Sequence, residues 1–392
     1  PDRIEVAKII YHFMVASTFF TVLSVPYEAV ITSHENMLFY AILGILESVL
    51  KLGIALYITY SAYDHLVAYG FLMAALSVFL LVLRRIYCHH YYAECVLHFR
   101  HHYDKPLLKE ISNFAGWSLL GAASSMIAGY GQAIVLNIFF GTKINAAQGI
   151  AGQISGQLGV FALTLSKALN PLIDKSEGSG DRDKMIKATL TGSKMSFFLL
   201  SFLYVPFLIE MPKLLNLWLV NVPEFAILFC RLLLIRNLIE QFYIPLNSAI
   251  IAVGNIKSYQ KYNAFLNLVP ILVAYISFSL GFPPFSIYII FIAFSLVQFI
   301  NVLHHSKINF NLSYSLFFNQ IVLKCGSAFI LSLLIGAIPI LFLEDTITRL
   351  FIVISCGTLA YLTLIWKVGL SKDEKKMVMS LKDLIVTKIS NV

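Results

Sequence analysis

Arg236, Glu240, Tyr243 and Asn247 follow one another at intervals of three and four residues. A helix turns about 100° per residue, so that spacing puts all four on one stripe. A guanidinium can bind an anion, a carboxylate can take up a proton, and a phenol and a carboxamide can hydrogen-bond a solute. The stripe lies inside a long apolar run. Polar groups in a bilayer are costly and usually face a bundle interior or a wet cavity. Arg236 and Glu240 have a blander alternative, an i,i+4 pair that only joins helices.

Other stripes follow the same rule. Gln153, Gln157, Thr164 and Lys167 share a face, with Gly149, Gly152, Gly156 and Gly159 beside it. The glycines would admit a close helix neighbour, leaving the polar stripe for a lumen. Lys167 could instead snorkel to the interface. Asn170-Pro171 is expected to end or bend that helix. Ser17, Thr21, Ser24 and Glu28 form a third stripe, and Arg231 reads as an outer anchor. Glu47 and Lys51 lie one turn apart, either as a structural ion pair or as a proton-coupling site.

The 84–113 stretch gathers Cys88, His89, His90, Cys95, His98, His101 and His102. Its C-x6-C-x2-H spacing is not that of a zinc finger, so it reads as a basic loop near anionic lipid. No metal or cofactor is expected. The sequence has no P-loop, no HExxH, no nucleophile elbow and no triad spacing, so it does not read as an enzyme.

The elements that must hold these residues follow from composition. The chain has 392 residues, 58% hydrophobic and 13% charged, with mean hydropathy +0.79. That is too little charge to coat a soluble protein of this length. Eleven apolar runs could each cross a bilayer: 9–31, 37–60, 66–83, 114–140, 146–173, 195–219, 226–252, 262–281, 285–303, 320–343 and 349–366. They are too long for barrel strands, so the expected fold is an all-α polytopic bundle. Net charge is +8, and 19 of the 29 basic residues fall on one alternating side. That bias places the C-terminus in the cytoplasm and attributes the charge to lipid-facing loops rather than to nucleic-acid binding. The five cysteines imply no disulfide framework.

An internal repeat appears at an offset of 219. It matches Pro26 with Pro245, Asn36 with Asn255, Tyr40 with Tyr259 and Tyr69 with Tyr288 without a gap. It also matches Ser17, Thr21, Ser24 and Glu28 with Arg236, Glu240, Tyr243 and Asn247, which points to two lobes facing a shared cavity. Three spans precede the second copy and none precedes the first. The expectation is therefore fourteen spans, with the first three missing here. The corresponding domains are 1–110, 111–308 and 309–392: half of one lobe, a six-span lobe, and two extra spans with a basic tail.

Four stretches add a family likeness: VPYEAVITSHENMLFYAILGILESVLKL (25–52), FAGWSLLG (114–121), NAAQGIAGQISG (145–156) and ALNPLIDKSEGSGD (168–181). They resemble Wzx-type polysaccharide flippases of the multidrug/oligosaccharidyl-lipid/polysaccharide exporter superfamily. The resemblance implies two six-helix lobes in an inverted V with alternating access. It implies ion-coupled flipping of a lipid-linked oligosaccharide diphosphate, of undecaprenyl type, across a bacterial inner membrane. Polysaccharide polymerase and glycosyltransferases of the same pathway would be partners. Lys167, Arg236, Gln153, Gln157, Tyr243 and Asn247 are then the expected lumen residues. Glu240, Glu28, Glu47 and Lys51 are the candidates for ion coupling. Two alternatives stay open: a cation-coupled multidrug antiporter of the same superfamily, and a non-transport scaffold for glycan assembly.

Overall fold

The computed structural model describes residues 3–34, 36–60, 64–95, 104–371 and 374–375. These residues form helices and connecting turns, with no strand among them. The helices are α1 (Arg3–Ser33), α2 (Met37–Tyr60), α3 (His65–Tyr91), α4 (Lys105–Gly178), α5 (Arg182–Trp218), α6 (Ala226–Gln241), α7 (Ile244–Val253), α8 (Lys257–Ser279), α9 (Ser286–Phe310), α10 (Tyr314–Phe317), α11 (Leu323–Ala337) and α12 (Ile347–Leu364). Single π turns at Phe318–Val322 and Ile365–Gly369 extend the helices at the C-terminal end. Nine of the described helical segments are long and apolar enough to cross a membrane. Helix covers all eleven apolar runs apart from their ends and a two-residue break at 242–243. The two numbers differ because α4 holds two runs, and because α6 and α7 share one.

Gly141 divides α4. It has φ 74° and ψ −173°, which no helix contains and which glycine adopts without a Cβ penalty. The chain thus leaves one helical arm there and starts another. The 226–252 run is also interrupted. It reads as one span, but the helix stops at Gln241 and restarts at Ile244, with Pro245 in the first turn of α7. Proline lacks the N–H that a continuous helix would need there, and it suits a helix start.

Residues Pro1–Lys105 make one compact unit and Pro106–Val392 another. In the first, α1 and α2 both pack on α3. Asp64 caps α3, its Oδ1 accepting from the N–H groups of Leu66 and Val67 at 3.0 and 3.2 Å. The apolar run ends at Leu83, yet α3 continues to Tyr91, so Arg84 is a helical residue rather than part of a loop.

In the second unit α5 is the central helix, packed against α6, α7, α11 and α12. Its buried residues include Phe197, Leu200, Tyr204, Val205 and Met211. Helix α9 packs on α6, α7 and α8. Helices α11 and α12 meet closely at Gly336 and Gly357, where a Cβ on Gly336 would lie 3.1 Å from the Gly357 Cα. Near its end α5 breaks at Glu210 (φ −100°, ψ 24°), between Pro206 and Pro212. Arg231 fills the gap. Its Nε and Nη2 donate to the carbonyls of Leu208 and Ile209 at 2.9 and 3.1 Å. It is a partner for freed backbone rather than an outer anchor.

The repeat is visible in element boundaries. Moving α2 by 219 residues gives 256–279, against Lys257–Ser279 for α8. Moving α3 gives 284–310, against Ser286–Phe310 for α9. The packing pairs repeat as well, α1 and α2 on α3, α6 and α8 on α9. The copies differ at their shared proline, since α1 runs unbroken through Pro26.

Two local expectations are corrected. Helix α4 passes through Pro171 and ends only at Gly178. Among the described residues the glycine face at 149, 152, 156 and 159 holds no close helix neighbour, because a Cβ at any of the four would meet nothing within 4 Å.

Candidate functional site

Five helices of the second unit, α4, α6, α7, α8 and α9, line a cavity of about 590 Å3. The first arm of α4 contributes a small-residue wall of Ser118, Gly121, Ser125 and Gly129. The broken α6–α7 segment contributes Arg236, Glu240, Tyr243 and Asn247. Helix α8 adds Tyr259, Gln260, Asn263 and Asn267, and α9 adds Phe291, Phe294, Ser295 and Gln298.

All four residues of the first predicted stripe therefore line one cavity. Periodicity alone puts Arg236 and Glu240 on one face of α6. Asn237 sets that helix, donating to Ser155 Oγ at 2.6 Å and to Tyr204 Oη at 3.3 Å. Beyond Gln241, Tyr243 lines the same space from the joint and Asn247 from α7. Arg236 Nε donates to Glu240 Oε1 at 2.8 Å, and its guanidinium lies 4.8 Å from the centre of the Phe291 ring. The pair is charge-neutral as a unit, and both side chains are about a quarter exposed. Asn247 Oδ1 is buried and accepts no hydrogen bond among the described residues.

The remaining lining is a carboxamide chain. Gln298 Nε2 donates to Asn263 Oδ1 at 2.8 Å, and Asn263 Nδ2 donates to Gln260 Oε1 at 3.1 Å. Asn267 Nδ2 donates to Ser124 Oγ at 3.1 Å. Carboxamides carry donors and acceptors together, so the wall can match hydroxyl groups in either sense. The stripe analysis missed these residues. Gln260, Asn263 and Asn267 stand three and four apart, as do Phe291, Ser295 and Gln298, so the same periodicity would have found them.

The other expected site residues lie elsewhere. Gln153, Gln157 and Lys167 are on an exposed face of the second arm of α4 and do not line the cavity. Glu28 belongs to the first unit, where its Oε1 pairs with Arg84 Nη2 at 2.8 Å. Arg84 also donates to Ser24 Oγ at 3.3 Å. Glu47 and Lys51 form the i,i+4 pair, 2.7 Å apart on a largely exposed face of α2. The cavity is thus built by the second unit alone. Among the described residues no group of three His, Cys, Asp or Glu side chains could hold a metal ion. His98, His101 and His102 lie outside the described residues. Within the described residues His34 pairs with Glu94 and stacks on Tyr92, with ring centres 4.1 Å apart. That hydrogen bond from His34 holds the Glu94 carboxyl below its ordinary range.

No protein-family model matches the chain, and no curated protein matches it. Solved structures do. A crystal structure of MATE in the bent conformation superimposes with a TM-score of 0.67 at 18% identity, over 79% of this chain and 70% of that one. A MATE mutant gives 0.67 at 17% identity, over 79% and 71%. MATE in complex with MaL6 gives 0.65 at 16% identity, over 78% and 70%. At such identities the likeness is one of fold: this chain has the all-α polytopic fold of those transporter structures.

Proposed function

We propose that this chain is a membrane transporter of the multidrug/oligosaccharidyl-lipid/polysaccharide exporter superfamily, and that its cargo is a lipid-linked oligosaccharide diphosphate. It would flip this unit across a bacterial inner membrane by ion-coupled alternating access, alongside the polymerase and glycosyltransferases of the same pathway. The carrying observation is the cavity lining. Asn247, Gln260, Asn263, Asn267 and Gln298 offer carboxamides, Tyr243 and Tyr259 offer phenols, and the one ion pair leaves no net charge. A neutral, polar, partly aromatic wall suits sugar hydroxyls. Arg236 supplies a cation for phosphate once Glu240 is neutralised. Protonation of Glu240 would free Arg236, and deprotonation would take it back, which couples anion binding to a proton. In this reading the exposed Gln153, Gln157 and Lys167 face of α4 borders the aqueous path. Glu28 and Glu47 could couple to an ion only by leaving Arg84 and Lys51.

A second reading is cation-coupled drug export. Glu240 beside Phe291 and Phe294 favours it, because a carboxylate among rings suits an organic cation. Expression in a strain lacking its own flippase separates the two. Restored surface polysaccharide supports the first reading, and raised drug tolerance without polysaccharide supports the second. On the first reading Arg236→Ala lowers polysaccharide output about tenfold or more, the worth of one charged hydrogen bond. Full output from Arg236→Ala together with Glu240→Gln would sink it.

A further inference from the structure

Next to the cavity lining in sequence stands a second charged feature that the transport reading does not use. Trp117, in the first arm of α4, precedes the lining residue Ser118, and Lys261 follows the lining residue Gln260. The ammonium groups of Lys257 and Lys261 lie 5.7 and 5.6 Å from the centre of the same Trp117 ring. The ring is held in place, its Nε1 donating to Asn113 Oδ1 at 3.1 Å. Two like charges one helical turn apart repel each other. Among the described residues neither lysine has a carboxylate in ion-pair range. Both lysines are exposed, and the tryptophan is half-buried. All three stand where the apolar runs 114–140 and 262–281 begin, the depth at which tryptophan settles and lysine meets lipid phosphate.

We propose that Trp117, Lys257 and Lys261 form a docking platform for a phosphate group carried on a lipid. The indole faces the acyl boundary and the two ammoniums clasp the anion as point charges. A head group held there stands one residue from the carboxamide wall, so its polar part can enter the cavity while its tail stays in the bilayer. The platform rests on the transport reading only for the identity of the lipid.

The test uses the full chain with Trp218→Phe and Trp366→Phe, which leaves Trp117 as the sole fluorescent indole. The chain is reconstituted in phosphatidylcholine nanodiscs. Three probes are titrated: phosphatidylglycerol in the bilayer, a polyprenyl diphosphate in the bilayer, and inorganic diphosphate in the buffer. A lipid-borne phosphate should shift the Trp117 emission. Lys257→Gln with Lys261→Gln should weaken the response about 30-fold, the worth of two lysines at an anionic surface. Lys257→Arg with Lys261→Arg should keep it, which excludes misfolding as the cause of the loss. A response to the polyprenyl diphosphate alone identifies a carrier lipid as the source. An equal response to phosphatidylglycerol identifies ordinary membrane head groups. The platform is overturned by no response to either lipid, by a response to inorganic diphosphate only, or by glutamine variants that respond like the parent. Lipid binding in a chain that restores no polysaccharide leaves the platform standing and removes the transport reading.

Discussion

Lys194 is a buried lysine, its side chain 5% exposed, and Glu374 is its partner at 2.6 Å. Burial pushes the Glu374 carboxyl up, but Lys194 and the Ser371 N–H together hold it below its ordinary value. A carboxylate with a lowered folded value stabilises the fold above its unfolded value, near pH 4.3, and that contribution is lost as pH falls through the folded value. The thermal midpoint of Glu374→Gln should therefore fall below that of the parent at neutral pH. The two should converge under acid conditions, as differential scanning fluorimetry would register. A constant gap across that range would contradict it. At this scale the sequence was readable where periodicity decides. Arg236 and Glu240 share a face because helix geometry requires it, and Tyr243 and Asn247 join them in the cavity from beyond the break after Gln241. Periodicity cannot say which face another helix covers, so Gln153, Gln157 and Lys167 looked equivalent yet lie outside that cavity. Nor can it reveal that Arg231 answers carbonyls freed by a break twenty residues earlier.

Helix breaks are the least legible elements. The 226–252 run looks like one span because both halves are apolar, and apolarity reports depth rather than continuity. Gly141 falls in the gap between the runs 114–140 and 146–173, whereas the break at Glu210 is hidden inside the apolar run 195–219. The second break is closed by charge. Glu210 has a side chain 2% exposed, and Arg349 of α12 grips it with Nε to Oε1 at 2.9 Å and Nη2 to Oε2 at 3.1 Å. Arg349 also reaches Asp345, which pairs with Lys213 at 3.2 Å. Removing one member of a buried pair strands the other charge. Arg349→Ala should cost about 3–5 kcal/mol in thermal or denaturant unfolding. Glu210→Leu with Arg349→Met, which removes both charges and keeps the volume, should recover most of that loss. A double variant as unstable as the single would mean that the helix break, not the charge, needs the contact.

For the whole molecule, composition and run length were enough to give the fold class, because a bilayer admits few alternatives to a helical bundle. The offset of 219 carried further, since it anticipated matching helix boundaries and matching packing partners in two separate units. Helices α11 and α12 stand outside that repeat, yet they are not appendages. They cover α5, and Tyr361 donates to the Phe198 carbonyl at 3.2 Å from a fully buried position. A chain ending after Leu312 should lose its single symmetric peak in size-exclusion chromatography, because Phe198 and Val205 would be uncovered. The two copies also diverge in one mechanical respect. Pro26 lies inside an intact rod, so an axial push on one end of α1 arrives at the other. Pro245 follows a joint at Phe242 and Tyr243, so α6 and α7 can swing separately. Bending around the cavity would therefore concentrate at that joint in the second unit.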